Sequence, residues 1–397
     1  MPASPAPAAP SDAARLPWVA WLATSAVAAG AACALALAEE RFPKSLGAAG
    51  WIGIVLATAP LLGAQLVLGV PAHAARVRAW LAAAPVRAHA VPALLVALFV
   101  VAGIGVGKFD PYVTAIFALA AFACLGALRE ISGGSLPGSP GDASGGTLAK
   151  PESVADGTDR LAGGPSAPTD PRVDAAARSP SQAAPDINGG LTWTDAAVWL
   201  AIWIPFDLRW YDGLWQGPKG FAYNWWAIAL TTFSVIAWGL VRNLPGLGYR
   251  LVPTRRDVAI GLAALFAFAA FVIPVGFAIG FLHWPPSRDP SLTRALGGAV
   301  GLFLTVAIPE ELFFRGLLLN GLERHLRRPW LAQVLSAVAF GLMHWNNAGP
   351  LGEKIAYCSL ATVAGLFYGW AYRRSGALIA PVITHTLTDL AWGMAFQ

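Results

Sequence analysis

Charge is what this chain has least of. Asp, Glu, Lys and Arg make up only 12% of its 397 residues, against about 25% in ordinary soluble domains, which excludes a water-soluble globule. Lysine is scarcer still, with 5 residues against 22 arginines. The basic residues behind the net charge of +5 are scattered over short connections and form no stripe or basic helix, which excludes a nucleic-acid footprint. Cysteine is limited to Cys33, Cys124 and Cys358, an odd number in apolar runs with no CxxC spacing. That excludes a disulfide framework or a cysteine metal site and leaves three small buried hydrophobes. No repeat relates two halves of the chain, which weighs against the inverted-repeat architecture of secondary carriers.

What the chain does have is apolar length. Hydrophobic residues make up 56% of it and the mean hydropathy is +0.57. A bilayer crossing takes about 20 residues of helix, and the runs 16–38, 48–70 and 258–282 reach that length without a charge. The expected fold is an all-α polytopic transmembrane helix bundle of about eleven spans. The remaining candidates are 91–107, 111–128, 191–206, 225–241, 295–322 (interrupted at Pro309), 330–345, 355–372 and 377–396. Ala36-Leu37-Ala38 before Glu39-Glu40 has the form of a signal-peptidase site. The apolar core ahead of it exceeds the 7–15 residues of a signal peptide, so it reads as a retained first helix.

Residues 129–190 are dominated by Gly, Pro, Ser, Ala and Asp with almost no aromatics, the composition of a disordered linker. The chain then divides into a four-helix region (1–128), that linker (129–190), accessory helices (191–293) and a catalytic region (294–397). Short connections carry Arg76, Arg78 and Arg87; Arg242, Arg250, Arg255 and Arg256; Arg324, Arg327 and Arg328; and Arg373 and Arg374. Counting spans puts all four groups on one side, cytoplasmic by the positive-inside rule, together with the N-terminus and the linker. The arginine and alanine bias points to a GC-rich bacterial genome, hence a plasma (inner) membrane location. Trp193, Trp199, Trp203, Trp210, Trp215, Trp225, Trp226 and Trp238 crowd one region and read as an interfacial aromatic belt.

Against this apolar background the last hundred residues carry six ionisable side chains, Glu310, Glu311, Arg315, His344, His385 and Asp389. Such groups at membrane depth are expensive and point to function. Glu311 and Arg315 are four apart on one helix face, in the favoured order for an ion pair. Glu310 is turned about 100° away from them and is the free chemical group. His385 and Asp389 share a face, so Asp389 either accepts the second ring proton of His385 or binds metal itself. Phe340 stands four before His344, where it can cover the site.

At 1.5 Å per residue, Glu310, His344 and His385 lie roughly 20, 22 and 16 Å from the nearest basic connection, a common level within helix tilt. One carboxylate and two imidazoles can hold a divalent metal, zinc above others, with Asp389 as a further ligand. Alternatively Glu310 is a general base on water and a histidine stabilises the oxyanion, without metal. Both routes lead to hydrolysis in a secluded cavity. A scaffold or immunity protein that keeps the cluster for structure, or a proton-coupled carrier using Glu310, are the competing readings.

The ordered set Glu-Glu-x-x-x-Arg (310–315), Phe-x-x-x-His (340–344) and His-x-x-x-Asp (385–389) resembles the CPBP family. These are the CAAX prenyl endopeptidases and bacteriocin-processing (Abi) intramembrane metalloproteases. The resemblance spans residues 297–392, a quarter of the chain. It implies that Glu310 and His344 activate the attacking water, while His385 and Asp389 complete the metal site or stabilise the transition state. It implies a membrane-associated peptide or protein tail as substrate, membrane lipids as surroundings and no nucleic acid partner. Asp389 stands where eukaryotic members carry Asn, a change that would tighten metal binding. For residues 1–293 the resemblance implies nothing.

Overall fold

The computed structural model describes residues 16–38, 47–131, 191–215, 220–284, 291–326 and 328–396. Beyond Ile131 the expected linker lies outside them. Among the described residues there are twelve helices and no strand: α1 (Leu16–Ala38), α2 (Gly47–Leu68), α3 (Pro71–Ala82), α4 (Ala90–Gly105), α5 (Pro111–Ile131), α6 (Trp193–Asp207), α7 (Phe221–Val241), α8 (Arg255–Ala278), α9 (292–325), α10 (Pro329–Leu342), α11 (Leu351–Ser375) and α12 (Ile379–Ala395). Helix starts follow local chemistry. Thr192 and Thr254 close capping boxes with Asp195 and Asp257, satisfying the first free N–H groups of α6 and α8.

Each of the eleven expected runs falls in a helix, yet only six helices among the described residues are long and apolar enough to cross a membrane. The chain is a multi-pass membrane protein, and α6, α10 and α12 are shorter, with 15, 14 and 17 residues. The basic connection at Arg76 and Arg78 is itself helical, forming α3. Nor does Pro309 break α9. The helix runs through it with wide π turns at Phe303–Ala307 and Leu312–Leu319. A proline removes one backbone hydrogen bond and crowds the carbonyl four residues back; widening the turn relieves both without ending the helix. Such turns are frequent at functional sites.

α7 is the axis of the bundle. It packs on α2, α3, α4, α5 and α6 on the N-terminal side and on α9 toward the candidate site. Its apolar window is 78% buried, against 17% for α8 and 11% for α5, which turn their side chains outward. Gln65 on α2 is buried and donates to the Ile228 carbonyl at 3.0 Å, tying α2 to α7.

The tryptophans correct the belt expectation. Trp193 and Trp210 are exposed, but Trp203, Trp215, Trp225 and Trp238 are buried between helices. Trp238 donates to the buried Asp195 at 3.0 Å and Trp225 to the Ala57 carbonyl at 3.3 Å. An indole offers a large apolar area and one N–H donor, so inside a bundle it packs helices and satisfies an acceptor together. Trp203 packs its ring on Phe313 and Phe314, at 4.7 and 5.1 Å between centroids, directly behind the glutamates of α9.

The four arginine-bearing connections share one end of the bundle. Arg78 donates to the Gly239 carbonyl (2.8 Å), Arg324 to the Pro245 carbonyl (2.9 Å) and Arg256 to the Arg374 carbonyl (3.1 Å), while Arg373 pairs with Glu323 (2.7 Å). Gly246 sits at this junction with φ +71°, and a Cβ there would come 2.7 Å from Asn320 Oδ1. Both facts require glycine.

Candidate active site

α9, the turn after α10, and α12 bring the six ionisable residues together, with α11 behind them. Glu310, Glu311, Arg315, His344 and His385 are buried; Asp389 is at the edge, its side chain 27% exposed. Arg315 Nη1 donates to Glu311 Oε1 at 3.0 Å and Nη2 to the Gly365 carbonyl at 3.2 Å. Its guanidinium carbon lies 4.3 Å from the Phe340 ring centre and 5.2 Å from that of Tyr368. A buried cation is tolerable when paired, hydrogen-bonded and faced by aromatic rings, and Arg315 has all three.

Glu311 has a second partner that its spacing did not reveal. His385 Nδ1 lies 2.8 Å from the same Oε1. Of the two roles open to Asp389, the geometry gives the place beside Nδ1 to Glu311, while Asp389 lies 3.4 Å from Nε2, on the side where a metal would bind. Residues four apart on a helix can meet, but a carboxylate from a neighbouring helix has the freer approach to the far nitrogen. Glu310 Oε2 lies 3.8 Å from His385 Nε2 and has no hydrogen-bond partner. Tyr368 stacks on the His385 ring at 4.9 Å with 23° between planes, fixing its tilt.

His344 lies just past α10, on a tight 3-10 turn (Met343–Asn347), not within the helix. Its Nδ1 is 2.8 Å from the Phe340 carbonyl. A carbonyl only accepts, so Nδ1 carries the proton and Nε2 keeps its lone pair. Phe340 is buried and stands edge-on to both imidazoles, at 4.9 Å from His344 and 5.7 Å from His385. It is the floor of the site as well as the acceptor that sets one tautomer.

A cavity of about 240 Å³ unites these groups, with Glu310, His344, His385 and Asp389 among its lining. The remaining wall is mostly apolar, with Phe268 and Val272 from α8, Leu360 from α11 and Trp392 from α12. His344 borders the same space as Glu310 and His385. Four residues that sequence reasoning did not single out also matter: Gly365 and Tyr368 on α11, Tyr357 with its ring 5.0 Å from His344, and Tyr223 from α7. No local spacing could have found them, since each lies on another helix.

Each histidine thus has its Nδ1 held by a protein acceptor, the usual preparation of a metal-binding imidazole. His385 Nε2, Glu310 Oε2 and Asp389 Oδ2 converge. With Nδ1 protonated all three are acceptors, and facing lone pairs require a cation between them, either a proton on Nε2 or a metal ion. Nitrogen and carboxylate donors suit zinc. Among the described residues, no three His, Cys, Asp or Glu side chains are drawn together tightly enough to coordinate a metal as they stand.

No curated protein and no solved structure matches the chain. Residues 292–391, which contain all six ionisable side chains, match the family model of the Rce1-like type II CAAX prenyl endopeptidases.

Proposed function

We propose that the chain is an intramembrane endopeptidase that hydrolyses a peptide bond in a membrane-associated peptide or protein tail. The observation that carries this reading is the unpartnered Glu310 Oε2, set in a largely apolar cavity beside two oriented imidazoles, within the peptidase match. Glu310 takes a proton from water, as a buried carboxylate with a free oxygen is suited to do. His344 Nε2, fixed as an acceptor by the Phe340 carbonyl, holds that water. His385, oriented by Glu311 and stacked on Tyr368, carries a second proton on Nε2 and donates it as a hydrogen bond to the developing oxyanion, and Asp389 supports it from the cavity edge. The apolar wall excludes bulk water and accepts the hydrophobic flank of a membrane peptide.

Glu310, His344 and His385, with Asp389, are the residues that would hold a divalent metal, zinc above others. Such an ion, when bound, lowers the pKa of water and polarises a carbonyl. On this reading the arginine-lined end of the bundle faces the cytoplasm of a bacterial inner membrane.

The test uses the purified full chain in detergent with a panel of fluorogenic membrane-anchored peptides. Cleavage is expected from the wild-type chain and not from Glu310→Gln or His344→Ala, both of which should stay folded. Undiminished cleavage by both variants would refute the mechanism. Absence of cleavage by the wild-type chain across the panel would favour a scaffold.

A further inference from the structure

Residues 292–391 do not enclose the catalytic cavity alone, because Tyr223 of α7 lines it as well. This tyrosine is held on its other side by aromatic contacts, with Phe206 at 5.3 Å and Tyr211 at 5.9 Å between ring centres. Phe206 and Tyr211 in turn line a second, strongly apolar cavity of about 430 Å³ between α5, α6 and α7. Tyr223 therefore belongs to the partition between two cavities, and only the catalytic one contains carboxylates. Glu310 and Asp389 line that same catalytic cavity. Among the described residues the hydroxyl has no hydrogen-bond partner.

A tyrosine at this depth ordinarily finds a partner for its O–H. One that faces a reactive cavity without a protein acceptor is available to substrate. Peptide hydrolysis needs a fixed donor at the oxygen where negative charge develops. A phenol suits an apolar wall, because it donates a hydrogen bond without the desolvation cost of a buried cation.

We infer that Tyr223 is a catalytic residue supplied from outside the peptidase match, its O–H donating to the scissile carbonyl oxygen. As the water oxygen bonds to the carbonyl carbon, the C=O π pair moves to that oxygen and Glu310 receives the water proton. Tyr223 keeps its own proton and only hydrogen-bonds the oxyanion. This rests on the endopeptidase reading. It also gives the accessory helices a role, since α7 carries this donor while joining the N-terminal helices to α9.

The experiment compares the wild-type full chain, Tyr223→Phe and Tyr211→Phe on one cleaved fluorogenic membrane peptide, with thermal unfolding and a pH–rate profile for each. Tyr223→Phe retains the ring packing and removes only the donor. Its kcat should fall on the order of 100-fold or more, as when an oxyanion donor is deleted, with KM, unfolding temperature and profile shape retained. Tyr211→Phe should stay within about twofold of wild type, since that ring faces the other cavity and donates nothing to the reaction. Wild-type kcat in Tyr223→Phe would sink the inference while leaving the endopeptidase reading intact. A shifted pH profile with an unchanged plateau would assign the hydroxyl to Glu310 and also overturn it. Loss of fold in Tyr223→Phe would make the hydroxyl structural and would overturn it too. If the wild-type chain cleaves nothing, the endopeptidase reading fails and this inference with it.

Discussion

His385 Nδ1 and Glu311 Oε1 are 2.8 Å apart, joining α12 to α9 through a carboxylate that also binds Arg315. One buried oxygen therefore neutralises a guanidinium and orients an imidazole. Adjacent glutamates on one helix have separate duties, with Glu311 turned to the protein and Glu310 to the cavity.

Separating those duties of Glu311 needs two variants. Glu311→Gln should lower stability by about 3 kcal/mol, because it strands a buried cation, and should abolish cleavage. Adding Arg315→Met should recover most of the stability, since apolar replacement of a buried pair is often neutral. Cleavage should stay lost, because His385 still lacks its anionic partner. Thermal unfolding in detergent and a peptide assay check both; recovered cleavage in the double variant would limit Glu311 to charge pairing.

Glu310→Gln should behave in the opposite way. Its Oε2 has no partner to lose, so stability should match or exceed wild type. Cleavage should fall by about 100-fold or more, the size of a general-base contribution. A large fall in unfolding temperature would show that Glu310 is structural.

Metal dependence is open to direct measurement. If Glu310, His344 and His385 hold zinc, elemental analysis of the purified chain should find about one equivalent, as expected for a single site. His344→Ala should lose most of it, chelation should stop cleavage and zinc should restore it. Full cleavage after exhaustive chelation would leave general-base chemistry alone.

The buried tryptophans predict a graded effect on stability. Trp203→Ala should cost about 3–5 kcal/mol, the range for a buried aromatic, and disturb the glutamates through Phe313 and Phe314. Trp193, 92% exposed, should tolerate alanine within about 0.5 kcal/mol. Equal effects in thermal unfolding would return both to an interfacial belt.

At Gly365 a Cβ would meet the backbone and Cβ of Ala337 at 3.0–3.1 Å. Gly365→Val should therefore separate α10 from α11 and destabilise the fold by about 1–3 kcal/mol, as overpacking does. It should also weaken the carbonyl contact to Arg315, so cleavage should fall alongside the unfolding temperature.

Much of this protein is legible along the chain. Apolar run length predicts helices at every one of the eleven candidate segments, because a backbone in lipid must satisfy its own hydrogen bonds. The i, i+4 spacing of Glu311 and Arg315 predicts their pairing, and ionisable groups in apolar surroundings mark the site. Run length does not say whether a helix crosses fully, lies short or turns its indoles inward, since those outcomes depend on which neighbours cover it. Pro309 illustrates the same limit, because whether a proline breaks a helix or widens a turn depends on the packing around it.

The sequence by itself determined the membrane class, the helical segments and the identity of the six ionisable residues, for these depend on local composition and spacing. Only the tertiary structure decided that Glu311 rather than Asp389 holds His385, that Phe340 sets the His344 tautomer, and that Tyr223 enters the cavity from α7. The first of those pairings joins residues 74 positions apart and exists only once helices have packed, because distance along a chain carries no information about which carboxylate will reach a given nitrogen first.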